Sequence, residues 1–135
     1  MPTLAAPAQG ACSIMTKAEV KQFSTNAFFD QLPVQEEKVG NGTSCNYADI
    51  LIQIDPFPFA TIERMRSGAP QRWEAAPGVG DAAYARDNGG RYAELYSRVG
   101  QRVFTIQMGV GSGETYASVK PRLLRMGNAI AAKLK

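Results

Sequence analysis

The chain has 135 residues, of which 44% are hydrophobic and 20% are charged, a composition typical of one globular domain with a core of its own. Its net charge of +3 is mild and lacks the dense basic stripe of a nucleic-acid-binding domain. The chain contains no histidine, so the commonest acid–base group and the commonest metal ligand are missing. No apolar run is long enough to span a bilayer. We expect a protein partner, no nucleic acid, no transmembrane segment and no cofactor, and a monomer is compatible with the sequence.

The start of the chain differs in composition from the rest. Residues 1–11 are rich in Pro and Ala and show no periodicity, so we predict a disordered N-terminal segment there and a single α+β domain over residues 12–135. The segment has neither the positive nor the apolar region of a signal peptide. It favours an exported protein, periplasmic or extracellular, whose signal peptide has been removed. The alternative is the disordered tail of a cytosolic protein.

A first helix is predicted near the start of the domain. Thr16 and Glu19 have the spacing of a capping box, in which the Thr hydroxyl accepts from the third helical amide and the Glu carboxylate accepts from the cap residue. The apolar residues that follow form no single stripe, so the helix ends somewhere between Gln22 and Phe29. Val34–Val39 are then predicted as a polar edge strand.

The most β-prone part of the chain comes next. Gly40-Asn41-Gly42 predicts a hairpin turn, and Thr43–Ile54 a long strand after it. The alternating isoleucines of residues 50–54 share one face of this strand. Leu51 lies on the other face and predicts either partial cover there or a bulge near Ala48-Asp49.

A second helix is predicted from Pro58, which suits a first helical turn, to Gly68, which suits a C-terminal end. The loop over Ala69–Gly80 contains Trp73, the only tryptophan. A strand over Ala82–Arg86 and a turn over Asp87–Gly90 lead into the next element.

The central element is a β-hairpin over Arg91–Val110. Gly100-Gln101 has the glycine-first pattern of a type II′ turn. Folding there pairs Leu95 with Ile106 on a largely apolar face and leaves Tyr96 on the opposite, mixed face. Two separate short strands are the alternative. With the strand before it, the hairpin forms a three-stranded meander.

The last helix is predicted over Glu114–Lys135, where apolar residues follow helical spacing. Pro121 either kinks this helix or starts it, with Ser118 as the cap. The element order α-β-β-α-β-β-β-α predicts an α+β fold. Its antiparallel sheet combines a hairpin with a three-stranded meander, and about three helices pack on one face.

Cys12 and Cys45 are the only cysteines, and in an exported protein such a pair favours one disulfide. A metal site built from two cysteines without histidine is disfavoured. A redox couple is disfavoured because the spacing is not Cys-x-x-Cys.

Three short motifs occur in a set order. Cys12–Val20 has Cys-x-hydrophobic-hydrophobic-Thr before a helix, Cys45-Asn46-Tyr47 has a cysteine and an aromatic residue on a strand, and Pro77–Tyr84 has a Gly-x-Gly-Asp-Ala-Ala turn. Over about residues 12–106 this order resembles small exported bacterial proteins and lipoproteins of unknown function. The resemblance implies export, one disulfide and an α+β fold, but no activity and no catalytic residues. The chain departs from the lipoproteins because Gln9 stands where their acylation motif has Leu.

The sequence offers little catalytic machinery. Gly109–Thr115 lies between a strand and a helix, as phosphate-binding loops do. It lacks the Lys-Ser/Thr ending of the P-loop and the spacing of the Gly-x-Gly-x-x-Gly motif, so a flexible connection is favoured. Asp81 is expected in a turn rather than as a base. We therefore predict a non-catalytic exported binding or accessory protein. The alternatives are an inhibitor or immunity-type protein that blocks another protein, and a carboxylate-dependent hydrolase with two acidic residues in one cleft.

The open face of the meander is the predicted partner-binding surface. It offers Tyr92, Tyr96, Arg98 and Gln107, and Tyr and Arg are enriched at binding hot spots. Trp73 is a second candidate if it projects from its loop. The alternative is that these are ordinary solvated residues of an antiparallel sheet.

Overall fold

Seven antiparallel strands form one sheet in the order β1-β2-β3-β7-β6-β5-β4 in a computed structural model that describes residues 10–135. The strands are β1 (Val34–Val39), β2 (Gly42–Tyr47), β3 (Ile50–Ile54), β4 (Glu74–Ala75), β5 (Ala82–Asn88), β6 (Tyr92–Val99) and β7 (Arg102–Gly109). The helices are α1 (Ala11–Ile14), α2 (Lys17–Lys21), α3 (Phe59–Gly68) and α4 (Tyr116–Leu134), with short 3-10 helices at Phe29–Gln31 and Pro70–Arg72. The predicted α+β fold class is confirmed. Of the predicted disordered segment, residues 1–9 lie outside the described residues, and Ala11 already begins α1.

The predicted register of the central hairpin is confirmed. Leu95 pairs with Ile106 and Tyr96 pairs with Thr105. Gly100 has a φ of 60°, whereas Gln101 is not among the residues of positive φ, which is the combination that a type II′ turn requires. The alternative of two separate strands is therefore wrong.

The main core lies on the Leu95 face of the sheet, under α1, α2 and α4. Four apolar residues of α4 point into it: Val119, Leu123, Met126 and Ile130. The helix approaches the sheet closely at Gly127, where a Cβ atom would lie 2.3 Å from Leu95 Cδ2. Glycine at this point lets α4 pack directly on the central strand.

The long strand predicted over Thr43–Ile54 is wrong, because the chain turns at Ala48-Asp49 and continues as two paired strands, β2 and β3. Ala48 has a φ of 55°, as a tight turn demands. The physical reason lies in Tyr47 and Ile50, which are three residues apart and would point to opposite faces of one continuous strand. The turn pairs them, and both become buried in the core.

The prediction that all helices pack on one face of the sheet is wrong for the second predicted helix. α3 lies on the opposite face, where Ile62 packs with Trp73 and Tyr96 in a second, smaller hydrophobic cluster. This face of β5 and β6 carries two tyrosine rings, Tyr84 and Tyr96, side by side. Their apolar surface favours burial, and α3 with the Trp73 segment provides it.

The helix ends follow the predicted chemistry in part. At α2 the capping box is confirmed, because Glu19 N donates to Thr16 Oγ1 at 3.1 Å and Thr16 N donates to Glu19 Oε1 at 2.9 Å. The last helix begins at Tyr116 with Thr115 as its cap. Pro121 therefore lies inside α4, and the alternative in which it starts the helix with Ser118 as cap is wrong.

A disulfide crosslinks the first half of the chain, and a hydrogen bond holds the turn of the central hairpin. The predicted disulfide is confirmed: Cys12 Sγ and Cys45 Sγ are 2.01 Å apart and join α1 to β2. Asp81 is a turn residue, as predicted, since its carboxylate accepts from Gly100 N at 2.7 Å. The Gly-x-Gly-Asp-Ala-Ala motif thus clamps the turn of the central hairpin.

Candidate functional site

A groove of about 1050 Å³ crosses one end of the sheet. It is bounded by the loop that follows α2, by the β2–β3 and β5–β6 turns, and by the β7–α4 loop. We call it the Phe28 groove and define it by six of its lining residues: Phe28, Asp49, Leu51, Arg91, Tyr92 and Gln107. It is larger than a second depression, of about 410 Å³, that lies beside β1 and β2.

Phe28 is held in an exposed position by a chain of hydrogen bonds. The Ser24 hydroxyl donates to Asp49 Oδ1 at 2.7 Å and accepts from Asn26 N at 3.1 Å. The Asn26 side-chain oxygen in turn accepts from Phe28 N at 2.8 Å. Phe28 remains 62% exposed, while its neighbour Phe29 is buried. The loop therefore fixes a large apolar ring in solvent, which costs hydrophobic free energy in the unliganded protein.

The β7–α4 loop is pinned from the other side. Arg122 forms an ion pair with Glu114 at 2.9 Å and also donates to the carbonyl of Phe23 at 3.2 Å. Gly111 N donates to Glu114 Oε1 at 2.8 Å. Burial raises the pKa of Glu114, but the Gly111 amide and Arg122 lower it by more, so that it lies below its ordinary value.

This geometry bears on the phosphate-binding alternative for Gly109–Thr115. The Glu114 carboxylate already accepts from the loop amide that an anion would need. The negative charge of a phosphate group would be repelled by that carboxylate. The geometry therefore favours a connecting loop over a phosphate-binding loop.

The floor of the groove combines apolar side chains with the side-chain amide of Gln107. Tyr92 is 40% exposed and lies beside the half-buried Leu51 and Gln107. The Gln107 amide donates to Glu94 Oε2 at 3.1 Å, which fixes its orientation.

Two charges of the groove have no partner of opposite charge among residues 10–135. Arg91 makes neither an ion pair nor a side-chain hydrogen bond there, and Asp49 accepts only from the Ser24 hydroxyl through Oδ1. They lie on either side of the end of β7, because Gly109 N donates to the Asp49 carbonyl and Val110 N donates to the Arg91 carbonyl, each at 2.8 Å.

The predicted partner-binding residues fall into three places. Tyr92 and Gln107 lie together in the Phe28 groove. Tyr96 and Trp73 are buried against each other, with ring centroids 5.1 Å apart. Arg98 is at the other end of β6, where it donates to the Gly100 carbonyl at 3.0 Å.

The expectation that the Tyr96 face is open is therefore wrong at Tyr96 and at Trp73, because α3 and the Trp73 segment cover it. Trp73 was a candidate only if it projected from its loop, and the structure instead buries it. Partner binding by Tyr92, Gln107 and Arg98 stays a prediction.

Sequence reasoning missed Phe28, Asp49 and Arg91. The region of Phe28 was assigned to the end of a helix, and Asp49 was assigned to a continuous strand. One local feature pointed to the loop: Asn26 two residues before Phe28 is the spacing of an Asx turn, in which the Asn side chain accepts from a following backbone amide. Nothing local linked that loop to Arg91, because the two meet only in the folded chain.

Two carboxylates of the groove bear on the hydrolase alternative. Asp49 and Glu114 both line it, which is the feature that the hydrolase alternative needs. However, the pKa of Glu114 is lowered, whereas a general acid needs a raised one. Within residues 10–135 no group of three or more Cys, Asp or Glu side chains is arranged to hold a metal ion.

The search for similar proteins found no match to a protein-family model, to a curated protein or to a solved structure. Between residues 10 and 135, no helix combines the length and the apolar character needed to cross a membrane.

Proposed function

We propose that the chain is a non-catalytic binding module of an exported protein and that the Phe28 groove is its binding site. The observation that carries this proposal is the fixed exposure of Phe28 beside Tyr92. Large exposed apolar groups rimmed by polar residues mark interaction sites, and aromatic residues dominate binding hot spots. The backbone of a hydrogen-bonded loop loses little conformational entropy on binding, which favours affinity.

The compartment is part of the same proposal. A disulfide is compatible with an oxidising location such as the periplasm or the cell exterior. An exported module without histidine or a metal cluster in its described part is well suited to recognition. The inhibitor-type alternative is one form of this proposal, in which the partner is an enzyme.

A fragment screen by nuclear magnetic resonance tests the site without knowledge of the ligand. We expect small aromatic and amide fragments to shift the backbone amides of residues 24–28, 90–92 and 109–112 of the wild-type protein. The double variant Phe28→Ser, Tyr92→Ser should bind these fragments about tenfold more weakly, as hot-spot losses imply.

The matched control is Met65→Ser, which removes from α3, away from the groove, an apolar side chain that is about as exposed as Tyr92. It should bind the fragments like the wild type. Fragments that bind the double variant unchanged, or that shift amides around Met65 instead, would contradict the proposed site.

A further inference from the structure

The unpaired charges of the Phe28 groove indicate what kind of ligand it takes. The other strongly charged pair near the groove, Glu114 and Arg122, is neutralised internally at 2.9 Å. Arg91 and Asp49 are left, one of each sign. Arg91 is exposed and Asp49 is half-buried. A ligand that covers them is favoured when it brings a charge of opposite sign near each, because a charge that is desolvated without a partner costs free energy.

The spacing of these two charges follows from the sheet. Asp49 belongs to the turn before β3 and Arg91 precedes β6, while β7 lies between these strands. Two strand spacings separate them, roughly 10 Å. An extended peptide rises about 3.3 Å per residue and points every second side chain to the same face, so two side chains roughly four residues apart reach both charges while a third, midway between them, also faces the groove.

The space between the charges is shaped for an apolar group. Gly109 has no side chain to fill this space, and Asp49 packs closely against it, with its Cβ 3.2 Å from the position that a Cβ on Gly109 would take. The rings of Phe28 and Tyr92 and the side chain of Leu51 supply apolar walls. An apolar side chain of the ligand would therefore lie between its two charged ones.

From this arrangement we propose that the Phe28 groove binds a segment of a protein partner in which an apolar residue lies between an acidic residue, held by Arg91, and a basic residue, held by Asp49. This inference rests on the proposed function and names the ligand class of that site. A simple anion is disfavoured by the carboxylates of Asp49 and Glu114. The groove is open, and its volume of about 1050 Å³ lies at the upper end of the range for small-molecule pockets, which favours a chain segment.

The experiment is a selection of displayed random 12-residue peptides on the intact, oxidised protein, after which the enriched peptides are tested on the groove variants. We expect the enriched peptides to carry an acidic and a basic residue about four positions apart, with an apolar residue midway between them. Their binding should weaken about threefold to fivefold in Arg91→Gln and in Asp49→Asn. Binding to the wild type should also weaken at high salt, because salt screens exposed ion pairs.

Three variants separate the effect of charge from that of structure. Asp49→Asn keeps an oxygen that accepts from the Ser24 hydroxyl, so the loop that holds Phe28 stays in place. Arg125→Gln removes an exposed charge from the middle of α4 and should bind like the wild type. Arg91→Glu should recover binding when the acidic residue of the peptide is changed to Lys.

The outcomes distinguish the two proposals. Peptides without the charge pattern, or affinities that Arg91→Gln and Asp49→Asn leave unchanged, overturn the ligand class. Binding of neutral oligosaccharides that is lost in Phe28→Ser, with no peptide enriched, also overturns it but keeps the groove as the site. Peptides that bind the Phe28→Ser, Tyr92→Ser double variant as well as the wild type overturn the proposed function itself.

Discussion

The variant Glu94→Gln should destabilise the protein although it changes only one polar group. Glu94 is 5% exposed on the sheet face that α3 partly covers. One carboxylate oxygen accepts from Arg86 Nε at 2.6 Å and from Tyr96 Oη at 2.9 Å. The other accepts from the amides of Asn88 and Gln107, both at 3.1 Å. All four neighbours are donors, so an amide nitrogen placed on either side would face two donors.

The expected loss of stability follows from what is left behind. Breaking a buried ion pair costs roughly 3–5 kcal/mol, because the remaining charge is desolvated and unpaired. The Arg86 side chain keeps 24% of its exposure and stacks on Trp73 at 4.5 Å, so water and the ring offset part of that cost. We expect Glu94→Gln to lower the free energy of unfolding by about 3 kcal/mol.

Urea unfolding followed by Trp73 fluorescence measures this loss directly, because the indole lies next to the network and is the only one in the chain. With a slope of about 1.5 kcal/mol per molar urea, the midpoint should fall by about 2 M. Glu37→Gln, an exposed glutamate of β1, is the control and should stay within about 0.5 kcal/mol of the wild type. A loss below about 1 kcal/mol, or additive losses in a double variant with Arg86→Met, would refute the reasoning.

Three further predictions concern stability. The variant Cys12→Ala, Cys45→Ala should lose about 4 kcal/mol in urea unfolding, since the bond closes a loop across 33 positions; a loss below about 1 kcal/mol would show that the crosslink adds little. Gly80→Ala should lose about 2 kcal/mol more than Gly78→Ala in the same assay. Both glycines have positive φ, but only at Gly80 would a Cβ clash, within 2.7 Å of a backbone oxygen, and equal losses would contradict the clash. Because the folded state holds the pKa of Glu114 below its ordinary value of 4.5, the unfolded state takes up protons more readily, so stability should fall as the pH drops below about 4.5. In Glu114→Gln that fall should be shallower in thermal unfolding between pH 6 and pH 3, and an unchanged profile would remove Glu114 from the cause.

The central hairpin could be predicted from the sequence because its information is local. A glycine-first turn and period-two alternation fix both the pairing and the face of each residue, and Leu95 opposite Ile106 followed directly. The same kind of alternation led to the wrong prediction of one continuous strand over Thr43–Ile54. A β-prone run with polar residues on one side is equally compatible with one long strand or with two shorter ones, and the turn at Ala48-Asp49 carries no glycine to mark it.

The candidate site could not be predicted because four separate segments build it. Phe28 and Arg91 are 63 positions apart in sequence (91 − 28), and the Asx-turn spacing before Phe28 does not indicate that Arg91 lies near it. What places them together is the strand order, in which β7 lies between β3 and β6. That order depends on non-local packing, which a period or a turn pattern does not encode.

The hydrogen-bond network of Glu94 and the Phe28 groove share one residue, Gln107. Its amide donates to the buried Glu94 carboxylate, and its side chain also lines the floor of the Phe28 groove. A buried charge is weak evidence for stability, since apolar replacements of whole ion pairs are often neutral or stabilising. Here the charge has a second consequence, because the carboxylate fixes the direction in which the Gln107 amide points at the groove. The Glu94 network therefore links the sheet face that α3 covers to the groove at its open end, and a ligand bound there would meet a preorganised amide.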